Sequence, residues 1–402
     1  MKKLFLPLLP LLLLACDPER NAEMTVTLDD DRGWMTQVDF ETELDITKAV
    51  CVDSDTMRLH FFGWSLEEDS TFTLALPGDV SKFGQCYLRY TMCGWNNGPA
   101  EWDMTTMIKV KDKATGEWYE LSRCITPYGG SFKSDWQKVF YLDVTPLLPL
   151  LEGETEFCIF YCGWDATEKR AHACALSLCY FSGKNPNGKP AWHQKIYDST
   201  VNGNTGYRSW AYGVEGHSIE DSTRLGKRVI HVPSGTKNIV IRSCFTGHGQ
   251  DALTVGNGTF PTRQGYKPIN VAEFDYNEYR FVFNGDTLAK TGYLFEENSD
   301  NYKQAGTYKY DRCGWGPGQP CNVHYWTIRH LPSDMGVITI DFDLDPYISK
   351  NTAPNAESVA QFYVEVDAYG YNSFYVGSQI RYNTFTHNES LSFRIWELLE
   401  PP

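Results

Sequence analysis

Apolar and polar positions alternate with a period of two along most of the chain, in runs too short for helices. Runs over 86–93, 107–111, 117–121, 138–144, 156–162 and 174–181 are rich in β-branched and aromatic residues and end in turn residues, which predicts six strands. Ala114-Thr115-Gly116 predicts a hairpin turn between two of them. A second series covers 228–232, 238–244, 278–284, 322–330, 336–344, 358–369 and 390–397. Helical spacing is scarce, and 145–151 predicts one weak turn. Many short strands without interleaved helices predict an all-β chain built of sandwiches or jelly rolls. The polar stretch 182–190 (SGKNPNGKP) is the best linker, so two domains of similar type are expected at 50–182 and 190–402. Residues 17–49, with Asp29-Asp30-Asp31, form an acidic lead-in that the pattern does not assign.

The first sixteen residues belong to targeting rather than to the fold. Lys2 and Lys3 precede an apolar run from Leu4 to Leu14, broken by Pro7 and Pro10. A helix spanning a bilayer needs about 20 such residues. The run ends Leu13-Leu14-Ala15-Cys16, which looks like a bacterial lipobox with Cys16 as the lipidated residue; the alternative is a plain signal peptide. The expected location is the bacterial cell envelope, with the protein held to a membrane by its lipid anchor alone. Hydrophobic residues are 42% and charged residues 22% of the 402, an ordinary globular balance that argues against disorder. The net charge of −15 and scattered Lys and Arg exclude a nucleic-acid partner.

Cysteine number carries a separate message. Twelve minus Cys16 leaves an odd eleven, so at least one thiol stays free or pairs between chains. There is no CxxC, and metal clusters mixing Cys with His are missing from the pattern, so no metal site is expected. Cys158 and Cys162 fall on one face of a strand. Most of these cysteines sit in apolar runs and read as small buried hydrophobes.

Candidate chemistry lies in acids beside aromatics. Glu101-Trp102-Asp103 follows a Gly-Pro turn, Glu273-Phe274-Asp275 precedes a strand, and Asp311-Arg312-Cys313-Gly314-Trp315-Gly316-Pro317-Gly318 is a Gly-rich loop with a charge pair and an indole. Carboxylates for acid–base work and indoles for stacking on pyranose faces are what a sugar-processing site needs, although solvated acids flank strand ends in any β protein. No nucleophile elbow, P-loop, HExxH or dinucleotide fingerprint is present.

These residues resemble the PNGase F family of bacterial peptide-N-glycosidases. Glu101-Trp102-Asp103, Thr115-Gly116-Glu117-Trp118-Tyr119-Glu120 and Ile125-Thr126-Pro127-Tyr128 match its EWD, TGEWYE and ITPY blocks in order and spacing. Ala272-Glu273-Phe274 is similar to its AEW, and Asp311 to Trp315 to its DRxGW. The resemblance implies two jelly-roll β-sandwich domains packed side by side, with a site in the cleft between them. It implies an amidase that releases N-linked glycans from glycoproteins or glycopeptides, without cofactor or metal, as a monomer. Asp103 takes the place of the principal catalytic acid and Glu273 of the second. Arg312, Trp315, Trp102 and His248 take substrate-binding places, with Trp315 expected to stack on sugar. The departures are Cys162 where the third acid should fall, Met104 in place of an arginine, and His248, expected in an exposed loop, in place of a tryptophan. Val271 and Asp275 replace the family's bracketing cysteines, so its disulfides are not kept. Two other readings compete: a glycan-binding lipoprotein with weak or no catalysis, and a copper monooxygenase on a similar paired fold, which the lack of HxH argues against.

Overall fold

The computed structural model describes residues 24–29, 33–60, 63–163, 170–183, 189–198, 226–248, 273–274, 277–285, 290–294, 296, 298–344 and 361–373. Cys16 and the targeting segment, most of the linker, and the strand expected at 390–397 lie outside these residues. In chain order the strands are β1 (Thr25–Asp29), β2 (Trp34–Thr36), β3 (Ala49–Asp53), β4 (Met57–Arg58), β5 (Gly63–Ala75), β6 (Phe83–Asn96), β7 (Thr105–Lys111), β8 (Trp118–Ile125), β9 (Gln137–Asp143), β10 (Glu154–Gly163) and β11 (Arg170–Ser182). There follow β12 (Trp192–Asp198), β13 (Arg228–His231), β14 (Asn238–His248), β15 (Asn277–Phe283), β16 (Lys290–Leu294), β17 (Gln319–Pro320), β18 (His324–Arg329), β19 (Val337–Leu344) and β20 (Gln361–Tyr371). Among the described residues, one α-helix, α1 (Gln37–Glu43), and four 3-10 turns, Thr145–Leu150 among them, accompany the strands.

Four sheets form two sandwiches. The first pairs an outer sheet, β2-β9-β6-β11-β3 with β4 also on β11, with an inner sheet, β17-β8-β7-β10-β5. The second pairs an inner sheet, β1-β18-β14-β20-β12, with an outer sheet, β13-β19-β15-β16. Each sandwich has its own apolar centre: Leu88, Tyr90, Ile108, Leu121, Phe157, Ile159 and Leu176 in the first, and Ile239, Ile241, Phe281, Trp326, Ile340, Val364 and Val366 in the second.

The described residues of the lead-in, 24–29 and 33–49, pair with both sandwiches. β1 pairs with β18 in the second, whereas β2 pairs with β9 in the first. Between β2 and β3, α1 lies on the outer sheet, capped by Thr36, whose Oγ1 accepts from the Asp39 N–H, and anchored by buried Phe40 on Tyr141. β2 and β3 are the two opposite edges of that sheet, so the lead-in wraps it from edge to edge. β17 makes the reverse exchange, adding to β8 of the first sandwich.

The inner sheets pack on one another and bury charge. On β20, Phe362, Val364, Val366 and Ala368 enter the second core, while Tyr363, Glu365 and Asp367 face the first sandwich. Lys109 Nζ meets Asp198 Oδ1 at 2.8 Å and Glu365 Oε2 at 3.0 Å, and Lys195 pairs with Glu365 and Asp367. Arg242 donates to the carbonyls of Glu120 and Leu121, and Arg123 to Thr246 Oγ1 and the Tyr363 carbonyl. Crowding raises the Glu365 carboxyl to about 7, through burial first and then through Asp198.

Candidate active site

Asp103 sits on the loop joining β6 to β7, and the loop is gripped from both sides. Thr126, one residue past β8, donates its N–H to the Met104 carbonyl and accepts the Met104 N–H on Oγ1, both at 2.8 Å. The same hydroxyl donates to the Trp102 carbonyl at 3.0 Å. His172 on β11 donates from Nε2 to that carbonyl at 2.9 Å. A carbonyl can only accept, so the proton is on Nε2; burial keeps the ring neutral, with its titration lowered to about 4. Met104, where the resemblance places an arginine, is buried in the first core and anchors the loop from beneath.

Arg312 comes from the second half, on the loop that follows β16, and is completely buried. Its Nη1 donates to the carbonyls of Thr307 and Tyr310 at 3.1 and 2.8 Å. Its Nη2 donates to the Tyr128 hydroxyl at 2.9 Å, to Thr307 Oγ1 at 3.1 Å and to Asp103 Oδ2 at 3.3 Å. Its Nε lies 3.5 Å from Glu273 Oε1. The rings of Trp315 and Phe274 flank the guanidinium at 4.7 and 4.9 Å. One planar cation therefore holds a carboxylate from each half of the chain. The side chains of Asp103 and Glu273 keep 11% and 14% exposure, so neither is fully sealed from solvent. Burial raises the Asp103 carboxyl above the usual range, against the opposing pull of Arg312 and of the Tyr128 hydroxyl.

Two glycines make the arrangement possible. Gly314 takes φ +79°, and a Cβ there would meet the Phe245 carbonyl at 2.4 Å, so only glycine lets the Arg312–Trp315 turn lie against β14. Gly306, at φ +64°, leaves room for the Tyr128 ring, which a Cβ would meet at 2.7 Å.

The remaining predicted residues fall in different places. Trp102 is 45% exposed beside Asp103. Trp315, expected to stack on sugar, is buried: its Nε1 donates to the Gly247 carbonyl at 2.7 Å and its ring packs on Arg312 and His248. The exposed loop expected for His248 is also corrected. It ends β14, buried between Trp315 and Tyr363, with Nε2 2.7 Å from Thr246 Oγ1. Burial, then Arg123 and Arg312, hold its titration well below the ordinary histidine value, so it stays neutral. Cys162 is buried with Cys158, Phe160 and Met107 against Tyr363 of the second sandwich. Sequence reasoning passed over Thr307 and His172, which no motif marks, and over Tyr128, which stood in the ITPY block without an assigned role.

The comparisons with known proteins bear on this site. No family model matches the chain. The peptide-N(4)-(N-acetyl-beta-D-glucosaminyl)asparagine amidase F of Elizabethkingia miricola is 27% identical over 263 residues, which is 64% of this chain and 67% of that protein. The structure of PNGase F, a glycosylasparaginase from Flavobacterium meningosepticum, superposes with a TM-score of 0.61 at 21% identity, covering 81% of this chain and 96% of that one. The chain is PNGase F-like. PNGF-II shares the fold at a TM-score of 0.55 and 14% identity, covering 83% of this chain and 67% of that one. The two sandwiches of this PNGase F-like chain are accordingly jelly rolls packed side by side. In it, Asp103 and Glu273 come from opposite halves to one arginine at the domain junction.

Proposed function

We propose that this chain hydrolyses the amide linking an asparagine side chain to the first N-acetylglucosamine of an N-linked glycan. The observation that carries the reading is the meeting of Asp103 and Glu273 on Arg312. Asp103 accepts a proton from water as the water oxygen bonds to the amide carbon. The proton passes to the nitrogen as the C–N bond breaks, leaving an aspartate and a glycosylamine. A carboxyl raised by burial is a better match to this work near neutral pH than an ordinary one. Glu273 orients the first sugar, and Arg312 fixes both acids while its charge steadies negative charge developing at the carbonyl oxygen. The chemistry uses side chains alone and requires no metal, and exposed Trp102 offers the sugar an aromatic face. Incubating the mature protein with a denatured N-glycoprotein should increase the gel mobility of the substrate. Binding to the glycan with no mobility change would instead make the chain a glycan-binding protein.

We further propose that Cys16 carries a lipid anchor in the bacterial cell envelope. Cys16→Ser should release the protein from the membrane fraction and abolish labelling by radioactive palmitate. Unchanged membrane association would refute the anchor.

A further inference from the structure

The outer sheet of the first sandwich carries an unassigned pair of thiols. Cys51 on β3 and Cys179 on β11 stand directly opposite one another in antiparallel register. Opposite antiparallel partners have Cα atoms about 4.5 or 5.5 Å apart, inside the range that a disulfide accepts. Their sulfurs are already 3.0 Å apart, so closure to the ~2.05 Å of a bond needs a shift of about 1 Å. Cys51 is exposed, whereas Cys179 is buried beneath the lead-in with Phe40 and Phe181.

We propose that Cys51 and Cys179 are a disulfide site, oxidised by a disulfide-bearing oxidant of the envelope, that staples β3, the strand entered from the lead-in, to β11 of the first sandwich. The exposed Cys51 thiolate attacks the oxidant's disulfide, forming a mixed disulfide and releasing one oxidant thiolate. The Cys179 thiolate then attacks Cys51 Sγ, and the second oxidant thiolate leaves. Two protons leave the protein thiols, and two electrons pass to the oxidant, which ends as two thiols. Burial pushes the Cys179 thiol up to about 12, so the second step is the slow one. The Ser177 hydroxyl, 3.6 Å from Cys179 Sγ, can donate to the thiolate as it forms.

Position gives the bond its effect. Among the described residues β3 is an edge strand bonded to β11 alone, and it is where the lead-in finishes its passage across the sheet. A bond there closes a loop between residues 128 positions apart, which restricts the unfolded chain and pins an edge that would otherwise fray.

The experiment uses the mature protein, first reduced and then treated with oxidised glutathione at pH 8. Non-reducing digestion and mass spectrometry should yield Cys51 and Cys179 peptides joined and two hydrogens lighter than their sum. The oxidised wild type should melt several degrees above its reduced form, and Cys51→Ser, altered at an exposed position, should show no such difference. A glutathione adduct persisting on Cys51, a bond from Cys51 to another cysteine, or full alkylation of both thiols after oxidation would each overturn the proposal.

Discussion

Arg312→Gln removes the one charge on which both acids converge. At 3.3 Å and an effective dielectric of ~20, the Asp103 pair alone is worth about 5 kcal/mol of Coulomb attraction. Desolvation has already offset part of this, but in the variant that cost remains without its compensation. Losing one partner of a buried pair costs roughly 3–5 kcal/mol. At roughly 2–4 °C per kcal/mol, the melting temperature should fall by about 10 °C at neutral pH. The penalty carries a pH signature. Burial raises the Asp103 carboxyl in the folded state, so its contribution to stability is full below the unfolded value of about 3.9 and is lost as pH rises through the folded value. Arg312 moderates that loss, so the variant should suffer more at pH 8 than at pH 4. If Asp103 is the base, the rising limb of the rate profile should also move to higher pH in Arg312→Gln. Arg312→Lys, which keeps the charge but lacks the fork, should move it less. The checks are calorimetry at both pH values and glycan release across the range between them. An equal penalty at pH 4 and pH 8, with a superimposable rate profile, would refute the reasoning.

Asp103→Asn should lower glycan release by roughly 10²–10⁴-fold with the fold intact, since the amide cannot take the proton; a loss below tenfold by single-turnover assay would remove Asp103 as base. His172 is held neutral, so it stabilises the fold above pH 6.5 and that stability is lost as pH falls toward 4, by about 3 kcal/mol in full. His172→Gln retains a donor and cannot titrate, so urea unfolding at pH 7 and pH 4.5 should show a flatter dependence, reduced only in part because His248 is shifted the same way. An unaltered dependence would clear His172 of that role. Cys162→Glu restores a carboxyl but places it against Cys158 and Tyr363, so it should lower the melting temperature by several degrees with no gain in turnover. A stable and faster variant would mean the position opens to the cleft.

What could be read from the sequence follows from where each residue's partners lie. Strands showed themselves because period-two alternation is local, and Glu101-Trp102-Asp103 because its spacing to neighbouring blocks is local too. The alternation of β20 was misleading in one respect. Glu365 and Asp367 have the pattern of solvent-facing positions, yet they face the first sandwich, whose Lys109 neutralises Glu365 from 256 positions away. The flanking glycines suggest an exposed loop for His248, but β14 continues through Gly247 by pairing with Phe362. Trp315 looks free to stack because the His248 ring and the Gly247 carbonyl that occupy it lie more than sixty positions away. α1 escaped notice because it buries only Phe40, too little for a helical stripe.

The placement of β1 bears on how the protein is made. Of the described strands it is made first, yet its partner β18 follows about three hundred residues later; Thr27 waits for Arg329 across 302 positions. Synthesis proceeds at about 5–20 residues per second, so the wait lasts tens of seconds. During that interval β2, α1 and β3 have their partners β9 and β11 and can close the first sandwich, while β1 trails from it as an unpaired edge. Docking of β1 then reports that the second sandwich has arrived. A chain stalled before residue 324 should leave β1 open to proteases, and a complete one should protect it.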